Sequence, residues 1–330
     1  MHRIVKKIAL FLLVVGLLHT SLSLYLELRF SDVHWISRRL SGTLDIVYLG
    51  DSVLDAVFDD DSDRSTLDRM LANQLLLRQV TQLSLPAHNP DMFEVICDYM
   101  SYRDIKPRTA VVPVNMRSFS PSWEKRFSYQ FSEEKRLLSN PFLYRLLIKP
   151  LKIFKYNKDF IERDVLESTP VFDGDREIGT VALLLSQMWY VEDVRKQYPG
   201  LQITEKLKRN SIAFQYLYTM DENNSRLQSL VDTALKLREM EINAVFYLTP
   251  INYEFAVDYY DQSARGRIEA NAELVKRVMA KHGFEVLDYT FSLGRDKFGD
   301  IRLFPNEHLR EQGRLFLAEQ LAGYILDKGY

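Results

Sequence analysis

Apolar and polar positions alternate along this chain in two distinct rhythms after an opening run that follows neither. Arg3, Lys6 and Lys7 precede an apolar stretch from Ile8 to Leu26, which Glu27 and Arg29 close. Such a stretch approaches the ~20 residues a bilayer-spanning helix needs. Positive charge on its leading side predicts an N-terminus in the cytoplasm and the rest of the chain across the cell membrane, as a single-pass protein. A cleaved signal peptide is the rival, with Ser21-Leu22-Ser23 as its cleavage site. A retained anchor is preferred, because no A-x-A site occurs and the apolar pattern continues through Leu24, Tyr25 and Leu26. The division expected is an anchor over residues 1–30 and one domain over 31–330.

Within that domain, short apolar runs alternate with helical periodicity. Strands are predicted at Asp45–Leu49, Gln79–Leu85, Thr109–Val114, Asn243–Leu248 and Phe284–Leu287. Helices are predicted at Leu67–Leu77, from an Asp91 cap to about Arg103, at Arg226–Met240, about Ala264–His282, and Leu309–Leu326. Thr109–Val114 is almost wholly apolar, as a strand covered on both faces must be. This rhythm implies an α/β domain, doubly wound around a mostly parallel sheet with flanking helices. It stops between about 120 and 225, where an aromatic-rich, Pro-punctuated, helix-leaning segment reads as a helical insertion. Inside it, Lys135 to Lys158 carries seven Lys or Arg and no acid. That stretch suits either an anionic membrane surface, a cover for the active site, or packed helices with a basic outer face.

Charge and composition remove several classes. A net charge of −2 gives no reason to expect nucleic acid as a partner. The single cysteine, Cys97, excludes an intramolecular disulfide framework and a cysteine-based zinc site. It falls in a helical pattern and reads as a packing residue. Asp55, Asp59, Asp60, Asp61 and Asp63 crowd one segment, but without the ordered alternation and terminal Glu of a calcium loop, so a solvated loop is expected. No phosphate-binding glycine loop and no paired metal-ligand histidines occur, so neither cofactor nor metal is expected.

Chemistry concentrates at strand ends. The first strand runs into Gly50-Asp51-Ser52, with the glycine expected to permit a tight turn. The second ends in Pro86-Ala87-His88-Asn89-Pro90, the third in Asn115-Met116-Arg117, and the fourth in Thr249-Pro250-Ile251-Asn252. In a parallel sheet these ends share one edge, where open α/β sheets place their sites. Serine needs a base to take its proton, and His308, before the last helix, is the natural candidate. A developing oxyanion needs donors already aimed at it, which backbone N–H groups and an Asn amide supply. His88, Arg117 and Asn252 are candidate substrate contacts.

This order of blocks resembles the SGNH, or GDSL-like, hydrolase superfamily, whose fold is flavodoxin-like. Gly50-Asp51-Ser52 matches the first block, Ala87 falls at the glycine of the second, Asn115 matches the third, and Glu307-His308 with Gly313 matches the last. The resemblance covers 45–119 and 226–330. It implies Ser52 as nucleophile, His308 as general base, and an oxyanion site from the Ser52 and Ala87 N–H groups with Asn115. The sequence departs from the pattern twice. Ala87 replaces a glycine, and Pro305 stands where the family's acid usually lies, three residues before the histidine. Asn306, Asp300, Glu307 and Asp288 are the candidates to orient the imidazole instead.

An anchored domain of this kind resembles proteins that move or remove acyl groups on cell-envelope glycans. The expected function is a serine esterase or O-acyltransferase acting on a cell-envelope or secreted polysaccharide through an acyl-serine intermediate. A membrane-bound acyltransferase is a candidate partner. The alternative is a non-catalytic binding or assembly protein on the same fold, for which the missing acid at Pro305 is the best support.

Overall fold

A computed structural model describes residues 2–29, 31–42, 44–76, 78–124, 130–139, 205–299 and 307–330. Most of the basic stretch at 135–158, along with Asp300 and Asn306, lies outside the described residues.

Helix α1 (His2–Arg29) carries the apolar run. Its segment Arg3–Ser21 has none of its length buried against the protein, and Phe11 and Leu18 are each 66% exposed. At 1.5 Å per residue the helix is about 42 Å long, more than the ~30 Å hydrocarbon layer. It is long and apolar enough to cross a membrane. Helix α2 (Ser31–Arg39) is amphipathic and belongs to the domain. Val33, Ile36 and the following Leu40 are buried, and the Ser37 hydroxyl meets the Tyr99 hydroxyl at 2.8 Å.

Five strands form one parallel sheet among the described residues, in the order β2-β1-β3-β4-β5. They are β1 (Ile46–Gly50), β2 (Val80–Ser84), β3 (Thr109–Val114), β4 (Asn243–Leu248) and β5 (Val286–Asp288). Strand alternation divides the core in two. Val47, Leu49, Val112, Val114, Phe246 and Leu248 face one layer, which includes α5 (Pro90–Tyr102). Ile46, Tyr48, Val111, Val245 and Tyr247 face the other, where they meet Leu67, Leu71, Leu317 and Leu321. Both faces are therefore covered, which is why β1 and β3 are almost wholly apolar, with the Tyr48 hydroxyl met by that of Tyr247 at 2.6 Å.

The chain winds outward in opposite directions from β1 and β3, and the crevice between their C-terminal ends is where such sheets bind ligands. One residue widens it. Thr109 donates its N–H to Asp45, so alternate β3 residues, Pro113 among them, turn their backbone toward β1. Proline has no N–H to give. The β1–β3 ladder stops at Tyr48↔Val111, while β3–β4 pairing continues to Val114↔Leu248.

Several boundaries differ from the sequence expectations. The cap of α5 is Asn89, whose side chain accepts from the Asp91 N–H with Pro90 in the first turn; Asp91 instead pairs with Lys135 at 3.2 Å. The segment Tyr253–Lys281 is two helices meeting at Asp261, which sits at φ +54°; the second is the one expected from about Ala264, and the helix before it was not expected. In the 120–225 region the described residues include three helices, α6 (Pro121–Glu124), α7 (Ser132–Ser139) and α8 (Glu205–Tyr216). Helices α9 (Ser225–Glu239), α10 (Tyr253–Lys281) and α11 (Glu311–Lys328) complete the domain, with α3 (Ser52–Asp55) and α4 (Leu67–Gln74) after β1.

Candidate active site

Ser52 opens α3 directly beyond β1, and its Oγ lies 3.0 Å from His308 Nε2. Both residues are 7% exposed. Gly50 is needed at this turn for close approach rather than for an unusual backbone angle. A Cβ there would meet Leu54 Cδ1 at 2.2 Å, and Gly50 is absent from the residues with positive φ. Asp55, at the end of α3, accepts from Ser84 Oγ at 2.7 Å and from Gln82, which ties the serine turn to β2.

His308 is placed by two independent clamps. Its carbonyl accepts the Gly299 N–H at 2.8 Å, and the Arg310 N–H donates to Lys297 at 2.9 Å, a short antiparallel pairing around the Phe298↔Leu309 bridge. Gly313 lets α11 approach this pairing, since a Cβ would lie 2.8 Å from the Lys297 carbonyl. The second clamp is the acidic segment after Ser52. Asp61 pairs with the fully buried Arg314 at 2.8 Å, Glu311 accepts the Ser62 and Asp63 N–H groups at 2.8 and 3.0 Å, and Arg310 meets Asp60 at 2.7 Å. The segment is a loop with Asp59, Asp60 and Asp63 exposed, as the sequence suggested, and through buried Asp61 it is also a strap that fastens the serine's loop to the helix behind the histidine.

Behind the Ser52–His308 pair lies a buried ionic cluster. The Asp51 side chain accepts from the Val53 N–H at 2.9 Å and from Asn115 Nδ2 at 2.9 Å. Asn115 Nδ2 also donates to Glu307 Oε2 at 2.7 Å, and its Oδ1 accepts the Arg117 N–H at 3.1 Å. Arg117 faces Glu307 at 3.3 Å and Asp51 at 3.8 Å, with its guanidinium 4.2 Å above the Trp123 ring. Tyr216, on α8, donates to Glu307 Oε1. Burial pushes the Glu307 carboxyl above its usual range against the opposing pull of Arg117. Burial, helped by Arg117, pushes His308 down to about 3, so its imidazole is neutral and able to accept a proton near pH 7.

The sequence candidates separate accordingly. Ser52 and His308 come together. Ala87 lies beyond β2, next to β1, at φ +66°; this is the left-handed conformation a glycine would take without strain. Asn115 reaches the site, but both its amide hydrogens go to carboxylates, a departure from the expected oxyanion donor. Arg117 is 3% exposed and internally ion-paired, a departure from the expected substrate contact. Glu307 turns both carboxylate oxygens to Tyr216, Asn115 and Arg117 rather than to the imidazole. Asp288 is held at the outer strand by Lys276 at 2.7 Å and by the Thr290 N–H, so it does not serve as the orienting acid. His88 is buried edge-on against Phe131 at 5.2 Å, and burial lowers it to about 3. Asn252 accepts the Phe255 N–H as the cap of α10. Cys97 is buried and pushed up to about 12, as a packing residue would be.

Sequence reasoning missed Tyr216, Trp123 and the hub role of Asp51. Tyr216 carries no local signal, because 99 residues separate it from Arg117. No family model matches the chain, and no curated protein matches it. Among the described residues no cluster of His, Cys, Asp and Glu suits a metal ion.

Proposed function

We propose that the protein is a membrane-anchored, SGNH-like serine esterase or O-acyltransferase acting on a cell-envelope or secreted polysaccharide, with the domain outside the cytoplasm. The observation that carries this reading is the 3.0 Å approach of Ser52 Oγ to His308 Nε2 at the strand-order crevice. His308 takes the Ser52 proton as Oγ attacks an ester carbonyl, and the tetrahedral oxyanion forms beside the Ser52 and Ala87 N–H groups. The C–O bond to the leaving alcohol then breaks, and His308 Nε2–H protonates that oxygen. Water or an acceptor hydroxyl next gives its proton to His308 and attacks the acyl-Ser52 carbonyl; the acyl C–Oγ bond breaks, His308 returns the proton to Ser52 Oγ, and an acid or a new ester leaves. A glycan substrate is supported by the anchor and by the resemblance of the Ser52, Asn115 and His308 blocks.

Full-length protein in detergent micelles, incubated with 4-nitrophenyl acetate, tests it. Ser52→Ala and His308→Ala are each expected to lower kcat/KM by about 10³-fold or more. Equal rates for all three proteins would remove the catalytic reading. A second reading, a non-catalytic glycan-binding or assembly protein, draws on one observation: the Asn115 amide is held by two carboxylates. It predicts glycan binding that Ser52→Ala leaves unchanged and no ester turnover.

A further inference from the structure

We infer that Glu307 is a positioning residue for His308, acting through Arg117 and Asn115 rather than by touching the imidazole. This rests on the proposed role of His308 as base. Glu307 is next to the histidine in the chain, so any restraint on its side chain also restrains the His308 backbone. Its carboxylate is 1% exposed and anchored on three sides, by Tyr216, by Asn115 at 2.7 Å and by Arg117 at 3.3 Å. The groups facing it are Arg117 from the turn after β3, Asp51 from the turn after β1, and Tyr216 from α8; Tyr218 lies just beyond α8 and His308 adjoins it.

The electrostatic consequence concerns Arg117. A buried guanidinium disfavours an imidazolium at His308, and an imidazolium is what the base becomes when it takes the serine proton. Two carboxylates, Asp51 and Glu307, share that one guanidinium. With Glu307 ionised, two carboxylates outweigh the one guanidinium and imidazolium formation is easier. With Glu307 protonated, only Asp51 offsets Arg117 and that advantage is lost. Glu307 thus does from behind what a triad acid does by direct contact. Tyr216 extends the restraint to the helical insertion, because its hydrogen bond favours the ionised carboxylate.

Kinetics against pH test this on the full-length protein. Burial raises the Glu307 carboxyl above 4.5, whereas His308 stays neutral down to about 3. An acid limb in kcat at higher pH than the His308 titration is therefore expected from Glu307. In Glu307→Gln, kcat is expected to fall about tenfold or more with KM nearly unchanged, and the limb to vanish. Tyr216→Phe keeps the charge and is expected to move the limb to higher pH; it serves if the first variant does not fold. A Glu307→Gln enzyme that retains the limb overturns the inference, whatever its kcat, and so does a Tyr216→Phe limb that does not move. Titration of His308 by NMR with ¹³C-labelled histidine separates this failure from that of the proposed function. If the wild type turns over no ester, the His308 ring shifts are still expected to move as Glu307 ionises, at pH values above the His308 titration, and to stay flat over that range in Glu307→Gln. Wild-type shifts that stay flat over that range overturn the positioning role independently.

Discussion

Two arginines are buried near His308, and they are held in opposite ways. Arg314 is fully enclosed and saturated: it donates to the carbonyls of Ala56, Leu309, Ser65 and Asp63 and pairs with Asp61 at 2.8 Å. Arg117 faces two carboxylates at 3.3 and 3.8 Å and lies flat on Trp123. In the first cluster one cation meets one anion and carbonyls complete its fork of donors, a geometry that fixes a loop. In the second, acid exceeds base and one acid is pushed toward its neutral form by burial. Buried groups with perturbed protonation gather where chemistry is done, whereas satisfied pairs hold the frame.

The largest test breaks the frame. Arg314→Met leaves Asp61 buried without its cation and is expected to cost about 3–5 kcal/mol of stability, read as a fall in the denaturant midpoint. Activity per folded molecule should fall only in part, because the Gly299 N–H still holds the His308 carbonyl. Arg117→Lys sharpens the contrast from the other side. A lysine keeps the charge but cannot reach both carboxylates while lying on Trp123, so kcat should fall about tenfold with a stability change of about 1 kcal/mol. Equal stability losses at the two positions would mean that both arginines are structural.

Acid should weaken the fold through two buried histidines. His308 and His88 are each lowered to about 3, so the unfolded chain takes up protons that the native state refuses. Stability is fully present above the unfolded histidine value of ~6.5 and is lost as pH falls toward 3, by at most about 1.4 kcal/mol per pH unit for each histidine. His88→Phe should flatten that slope by about half, as measured by urea unfolding at several pH values. Smaller effects distinguish the turns. Gly50→Ala should cost about 1–3 kcal/mol by driving a methyl into Leu54. Ala87→Gly should gain about 1 kcal/mol by relieving the positive φ.

Much of the sheet was legible because strands buried on both faces must be apolar throughout: Thr109–Val114 and Asn243–Leu248 fall on the residues expected. Gly50 and Asp91 were assigned the wrong duties, because sequence does not reveal whether a glycine serves a turn or a close contact, nor which of two neighbouring side chains takes a cap. Ser52 and His308 could be named from strand ends and block order, but not their 3.0 Å approach. That distance depends on the Gly299 pairing and on the Asp61–Arg314 strap, a contact between residues 253 apart in the chain.

By itself the sequence determined the period-2 and period-3.6 patterns, the apolar leading helix and the residue types available at each strand end, since these follow from local sterics and solvent preference. Tertiary structure alone decided that Asn115 and Arg117 join Asp51, Glu307 and Tyr216 in a closed ionic cluster. Partners for buried charges are chosen by burial and by convergence in space, and neither is written in the spacing of residues along a chain.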